Sequence, residues 1–380
     1  MGTQDAVGSW VVDGAVVRGR PDGLRAYGLQ TGETRWSWTV PGEDALLAMS
    51  RTAVGGVGLA VHADEDASGG SSGSCTVTAV DTGRGTALWS VSADFSEKPW
   101  HWEKDRAGQA VVLVADRAVV LAGGRPTAYA LTSGRSVWAP VAPLADDGQL
   151  AAARQGVVQI SVEDGAATVR CLDPAEGAVR WQVRPLADRR SGGVHVLHED
   201  PLVLLVEGRG RRAAEPELLV LDTGDGRTTA RIPVHGPHGE ARVQPGSYGL
   251  PGDRPVAVVA DVLAVAARPP GTYTDHVTAF ALDGGRQRWT WKSEGLVLGV
   301  LEADEGVAVL SKWEATEGGD GAVHLHLLDH VTGTVRWVRR LAGYEAGMRG
   351  RYHLDAELRL IRVGHWGHGD WRAVQAFRLR

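Results

Sequence analysis

The chain has 380 residues, a formal charge of −6, 23% charged and 43% hydrophobic side chains, and on length alone would divide into two or three domains. Only four of its 40 basic residues are lysine and no basic run tracks along it, which argues against a nucleic-acid partner. The best apolar run, Ala110 to Ala122, is broken by Asp116-Arg117, and residues 1–20 carry Asp5 and Asp13 without a basic start or apolar centre, so neither a transmembrane helix nor a signal peptide is read in this chain.

Apolar and polar residues alternate by twos, the period of strands, and the strands come in fours, A to D. The first repeat places A near Ser9–Val12, B at Ala15–Arg18, C at Leu24–Leu29 and D at Thr34–Thr39. The second places A at Ala45–Ser50, B at Val57–His62, C at Cys75–Val80 and D at Thr86–Ser92. Later B strands are expected at Ala118–Ala122, Val157–Val162, Leu202–Val206, Val262–Ala266, Val307–Lys312 and Leu358–Val363. The C–D hairpins span 24–39, 75–92, 126–140, 167–184, 217–233, 276–292 and 323–340, and a partial repeat fills 347–380. That eighth repeat has A near Arg351–Leu354 and C at Arg372–Leu379, and its turn would fall beyond Arg380. The expectation is an incomplete eighth sheet with an exposed edge, its missing strand supplied by a segment upstream of Met1.

Each hairpin carries one eleven-residue frame, begun at Ala26, Ala79, Ala128, Cys171, Val220, Ala279 and Leu327. Its seventh position is always glycine: Gly32, Gly85, Gly134, Gly177, Gly226, Gly285 and Gly333. A turn needing positive φ explains that choice. Its third position is Asp81, Asp173, Asp222 or Asp329 in four copies, where a carboxylate can accept backbone amides of the turn. Its eleventh is Trp36, Trp89, Trp138, Trp181, Trp289 or Trp337, with Ala230 the exception. An indole recurring once per sheet is expected to be buried between neighbouring sheets, with the fifth docking differently. Seven copies about 50 residues apart are an internal repeat and mark one large repeat domain over 1–380.

These residues resemble the tryptophan-docking motif A-x-D-x-x-T-G-x-x-x-W of the PQQ-like, quinoprotein-type β-propeller repeat family. The Leu327 copy keeps Asp329, Thr332, Gly333 and Trp337, and the Ala79 copy keeps Ala79, Asp81, Gly85 and Trp89. The resemblance covers nearly the whole chain and implies an all-β, single eight-bladed propeller of four-stranded antiparallel blades. The family holds quinone-dependent alcohol dehydrogenases, cofactor-free members such as the lipoprotein of outer-membrane assembly, and extracytoplasmic modules of high-GC bacteria, some attached to kinases or membrane anchors. This chain looks most like the last kind, which implies an extracytoplasmic or membrane-associated place.

The A–B turns are short, and the long insertions fall between B and C (Ala63–Ser74, Glu207–Pro216, Arg268–Asp275, Trp313–Gly321, Gly364–Trp371) or between D and the next A (Asp94–Gly108, His235–Pro255). Both connection types leave an up-down blade at one end, so the insertions are expected to share one face, where binding would sit. That face carries Trp100, His101, Trp102, Tyr248, Tyr273, Trp313, His365, Trp366, His368 and Trp371 as candidate binding residues. The competing reading is that these aromatics fold back over apolar strand ends.

Histidine pairs at His195/His198, His235/His238, His324/His326 and His365/His368 lack the Cys-x-x-Cys or His-Glu-x-x-His spacing of zinc sites, and no metal is assigned to them. Cys75 and Cys171 lie two repeats apart, beyond the ~7 Å that a disulfide tolerates, and read as free thiols. The quinone enzymes that this motif resembles hold their cofactor with adjacent cysteines, which this chain lacks. The expectation is therefore a monomeric, non-enzymatic, cofactor-free scaffold for an unidentified protein or small ligand. The alternatives are a quinone-dependent dehydrogenase and the sensor module of a membrane-anchored signalling protein.

Overall fold

The computed structural model describes residues 7–64, 73–95, 110–139, 148–185, 191–208, 215–243, 256–313, 322–341, 350–354, 359–364 and 374–378. Among them the chain is all β, without a helix, and forms eight antiparallel sheets in sequence order, the blades of an eight-bladed propeller. The described strands group into two compact units. The first holds Met1–Asp188 and Thr223–Gly226, with blades one to four; the second holds Arg189–Asp222 and Arg227–Trp366, with most of the rest.

The first blade sets the pattern: Gly8–Val12, Ala15–Arg20, Gly23–Gly28 and Thr34–Thr39 pair in chain order. Exposure rises outward across a blade. The B strand Val262–Arg268 is buried over its first six residues, whereas the D strand Thr34–Thr39 alternates exposed and half-buried positions. Strands covered on both faces read as continuous apolar runs, and only the outer strand keeps a two-residue alternation. Each hydrophobic core lies between consecutive blades. One joins Leu59, Val61 and Val77 of blade two to Val111, Leu113 and Ala118 of blade three. Others join Val203, Leu205 and Val220 to Leu263 and Val265, and Ala264 and Val277 to Val300 and Val309.

All seven hairpin glycines sit at φ between 65° and 75°. Five answer a second demand as well. The indole of Trp36 lies over Gly85, where an added Cβ would meet Cε3 at 2.3 Å; Trp89 covers Gly134, Trp138 covers Gly177, Trp181 covers Gly226 and Trp289 covers Gly333. Every one of these indole N–H groups donates into the turn that it covers: Trp36 to the Thr82 carbonyl (2.9 Å), Trp89 to Leu131 (2.7 Å), Trp138 to Pro174 (3.0 Å), Trp181 to Thr223 (3.0 Å) and Trp289 to His330 (2.8 Å). Only Trp138 and Trp289 are fully buried. Trp36, Trp89, Trp181 and Trp337 are half-buried, because the outer strand leaves one indole edge in water, and this corrects the expectation of six buried rings.

In the fifth blade, with Ala230 in place of Trp, backbone and the Ile232 side chain take the indole's place against the next hairpin glycine. The Arg231 carbonyl comes to 2.8 Å from where a Cβ on Gly285 would stand, and the Gly284 N–H donates to the Thr229 carbonyl at 2.9 Å. The turn carboxylates accept amides as their position suggests: Asp81 from Gly83 and Arg84, Asp173 from Ala175 and Glu176, Asp329 from Val331 and Thr332. A pair without any motif does the same job as the frame. Trp10 packs over Gly58 and donates to the Ser50 carbonyl at 2.7 Å.

The sixth sheet has six strands. His235–Gly236 and Gly239–Ala241 make a small hairpin turning at Pro237-His238, and its second strand pairs with Arg268 and Ala267 of strand B, beside strand A (Val256–Val259). The eighth sheet has three described strands, Gly350–Leu354, Arg359–Gly364 and Val374–Arg378.

Candidate functional site

In blade six two long insertions start side by side, because the 235–243 segment pairs with the end of strand B from which 268–275 departs. Their bases are fixed by one buried carboxylate. Asp275 is fully buried, accepts from Arg268 Nε at 2.9 Å, forms a second ion pair with Arg242, and accepts the Val297 amide of blade seven at 2.8 Å. Its own backbone bonds Gly295 and Ser293. Burial lowers the pKa of Arg242 while Asp275 opposes that, so the guanidinium stays charged. One carboxylate thus holds the insertion hairpin, both ends of the 269–274 loop and the first strand of the next blade (Gly295–Ala303).

The loop itself is braced. The Thr272 hydroxyl lies within 2.9 Å of the Pro269 carbonyl and 3.1 Å of the Thr274 carbonyl, and the Thr272 amide reaches Pro269 at 3.3 Å. At its crest Tyr273 is 81% exposed, the largest exposure among the large hydrophobic side chains of the described residues. An aromatic ring held in water on a pinned loop loses little conformational freedom when a partner covers it.

Of the other candidate residues, Trp100, His101, Trp102, Tyr248, His365, Trp366, His368 and Trp371 lie outside the described residues. Trp313 ends strand B of blade seven, opposite Gly295, and so belongs to the sheet and not to the loop. The histidine pairs separate. His195 faces Glu207 at 3.6 Å while His198 pairs with Glu302 at 2.9 Å and with the Pro201 carbonyl. His235 is exposed, whereas His238 is buried edge-on against Phe280 and its pKa is lowered, chiefly by burial. His324 and His326 do share one strand face, with rings 6.2 Å apart; His326 also touches Trp291 and bonds the Ser311 hydroxyl at 3.0 Å. Among the described residues no three His, Cys, Asp or Glu side chains converge as a metal site. Cys75 and Cys171 form no disulfide and are buried in different blades, and burial raises their pKa values to about 12 and about 11, so neither is a ready nucleophile.

Sequence reasoning passed over Asp275, Arg242 and Arg268. No periodicity marks them; the one local signal is a carboxylate directly before an apolar strand, His276–Ala281.

Fold and site together define an eight-bladed β-propeller whose sixth blade, among the described residues, carries an added hairpin. The family described as outer membrane protein assembly factor BamB matches residues 73–244. Among solved structures the chain is similar to BamB from Moraxella catarrhalis, with 18% identity, TM-score 0.52, and 98% of this chain and 94% of that one covered. It is also similar to Sqt1 of Saccharomyces cerevisiae (11%, TM-score 0.54, 96% and 94% covered). A third is the quinohemoprotein alcohol dehydrogenase of Comamonas testosteroni (14%, TM-score 0.54, 96% and 71%). At such identities the likeness is one of fold. No curated protein matches the sequence. Among the described residues no helix is long and apolar enough to cross a membrane.

Proposed function

We propose that the chain is a non-enzymatic scaffold that binds a protein or small-ligand partner through the insertion side of blade six. The observation behind this reading is the exposed Tyr273 on a loop pinned by Asp275, Arg268 and Arg242. An ion network buried beneath an exposed aromatic spends stability to fix a surface, as a recognition surface requires. The partial match to the assembly-factor family supports a protein as partner.

The quinone alternative is disfavoured by the residues themselves. The two cysteines stand in separate blades, so the chain offers no adjacent pair to hold the ring system. Alcohol- or aldose-dependent dye reduction after loading with PQQ and Ca²⁺ would overturn the non-enzymatic reading.

The binding reading is tested by replacing Tyr273, or Asp304 in the exposed A–B turn of blade seven, with a photocrosslinking amino acid and irradiating in native extract. Adducts of one discrete mass from position 273 and none from 304 are expected. Adducts from 304 alone would contradict the assignment of the face.

A further inference from the structure

A continuous line of polar side chains crosses the second blade from its inner strand to its outer one. Asp44 Oδ2 lies 2.6 Å from His62 Nδ1, His62 Nε2 lies 2.9 Å from Thr78 Oγ1, and Thr78 Oγ1 lies 2.9 Å from Ser90 Oγ. One residue comes from each of the four strands Asp44–Met49, Val57–Asp64, Gly73–Asp81 and Ala87–Phe95. His62 and Thr78 are buried at 3% and 1% exposure, Trp38 of blade one meets the imidazole edge-on at 5.9 Å, and Ser90 stands exposed on the outer strand.

One His62 tautomer, protonated at Nδ1, gives every hydrogen bond in this line the same direction. An ionised carboxylate only accepts, so His62 Nδ1 carries the proton and donates it to Asp44. With that proton on Nδ1, Nε2 is the ring's acceptor, and the Thr78 O–H at 2.9 Å is placed to donate to it. The remaining lone pairs of Thr78 are free to take the hydroxyl proton of Ser90. An exposed serine therefore points its proton down a two-step path to an imidazole that is oriented by the half-buried Asp44 carboxylate. Purely structural polar pairs need no such polarity from surface to interior.

We propose that Ser90 is a nucleophilic serine, reactive toward activated acyl and phosphoryl-type esters. Ser90 Oγ attacks the electrophilic centre as its proton passes to Thr78 Oγ1 and the Thr78 proton passes to His62 Nε2. Asp44 steadies the imidazolium so formed, and the leaving group departs with its electron pair. Ser90 is the reacting residue; Thr78, His62 and Asp44 are positioning residues. The event modifies the chain once and is independent of the binding reading at blade six.

Ser92 supplies an internal control. It lies two residues along the same strand and is also exposed, but among the described residues its hydroxyl meets only Ser74 Oγ, at 3.2 Å. The experiment treats the full chain with a fluorophosphonate, whose P–F bond breaks as the Ser90 Oγ–P bond forms, and maps adducts by peptide mass spectrometry. Modification of Ser90 at about 100-fold the rate of Ser92 is expected, within the range that positioned proton transfer supplies. Thr78→Val should bring Ser90 down to the Ser92 rate, and Thr78→Ser should restore it. Equal rates at Ser90 and Ser92 in the unaltered chain would overturn the proposal, as would undiminished labelling in a folded Thr78→Val variant. If Thr78→Val does not fold, the comparison of the two serines decides alone.

Discussion

Gly134 meets two requirements at once: a backbone at φ 65° and an indole face where its side chain would be. The first was legible in the sequence, since glycine at the seventh place of every frame reads as a left-handed turn position. The second was not, because Trp89 and Gly134 are 45 residues apart and nothing local pairs them. Trp138 is one of the two buried members of the set, so Trp138→Ala is expected to cost about 3–5 kcal/mol by denaturant unfolding, with its partner carbonyl on Pro174 left to water. The motif carboxylate Asp329 is held well below the ordinary aspartate range, first by the side chain of Arg336 and then by the Thr332 amide. A depressed carboxylate contributes stability above its unfolded pKa and loses it as pH falls through the folded value. Arg336→Ala should therefore raise the Asp329 pKa toward the ordinary value, read from its carboxyl carbon by NMR titration. An unchanged titration would show that the guanidinium is not the cause. Asp329 is an exposed group, and the expected effect on global stability is small.

At the scale of an element, the insertion hairpin of blade six shows what pattern reading misses. The repeat pattern placed strand B at Val262–Ala266 and left 235–255 as a loop, because a two-residue and a three-residue strand are too short to show a period. The hairpin reverses at Pro237-His238. What fixes the hairpin is long-range: Arg242 reaches Asp275 across 33 residues. Removing the buried carboxylate leaves Arg242 charged without its partner, so Asp275→Asn should cost about 3–5 kcal/mol. Arg268→Ala, at a pair open to solvent on the arginine side, should cost about 1 kcal/mol or less. Hydrogen exchange supplies the local readout: the Val297 and Ser293 amides should lose protection in Asp275→Asn and keep it in Arg268→Ala. Equal effects of the two substitutions would contradict the central place given to Asp275.

For the molecule as a whole, fold was legible and function much less so, for one physical reason. Blades must bury both faces, and that demand writes a repeat about 50 residues long into the chain. A binding loop needs no period, and most of the candidate aromatics lie outside the described residues. Buried histidines were visible only as pairs in sequence, yet they set a whole-chain response to acid. Burial, and then the nearby His324, lower the His326 pKa from 6.5 to about 4. The unfolded chain therefore takes up a proton that the folded one refuses, and stability falls as pH drops from 6.5 toward 4, by up to about 3 kcal/mol. His326→Gln should flatten that part of the profile in urea unfolding; a profile parallel to the unaltered chain would remove His326 as the source.

The central claim is that consecutive blades are keyed together by an indole seated on the next blade's hairpin glycine. A double-mutant cycle on Trp89 and Gly134 measures it directly, with unfolding free energies for Trp89→Ala, Gly134→Ala and the pair. In the presence of Trp89, a methyl at position 134 suffers both backbone strain and collision with the ring, whose Cγ would lie 2.6 Å away. Without the ring only the strain remains. The two losses should therefore be non-additive, the double variant losing at least about 1 kcal/mol less than the sum. Additivity within about 0.5 kcal/mol would show that the glycine is kept for its turn alone, and that the indole does not key the blades.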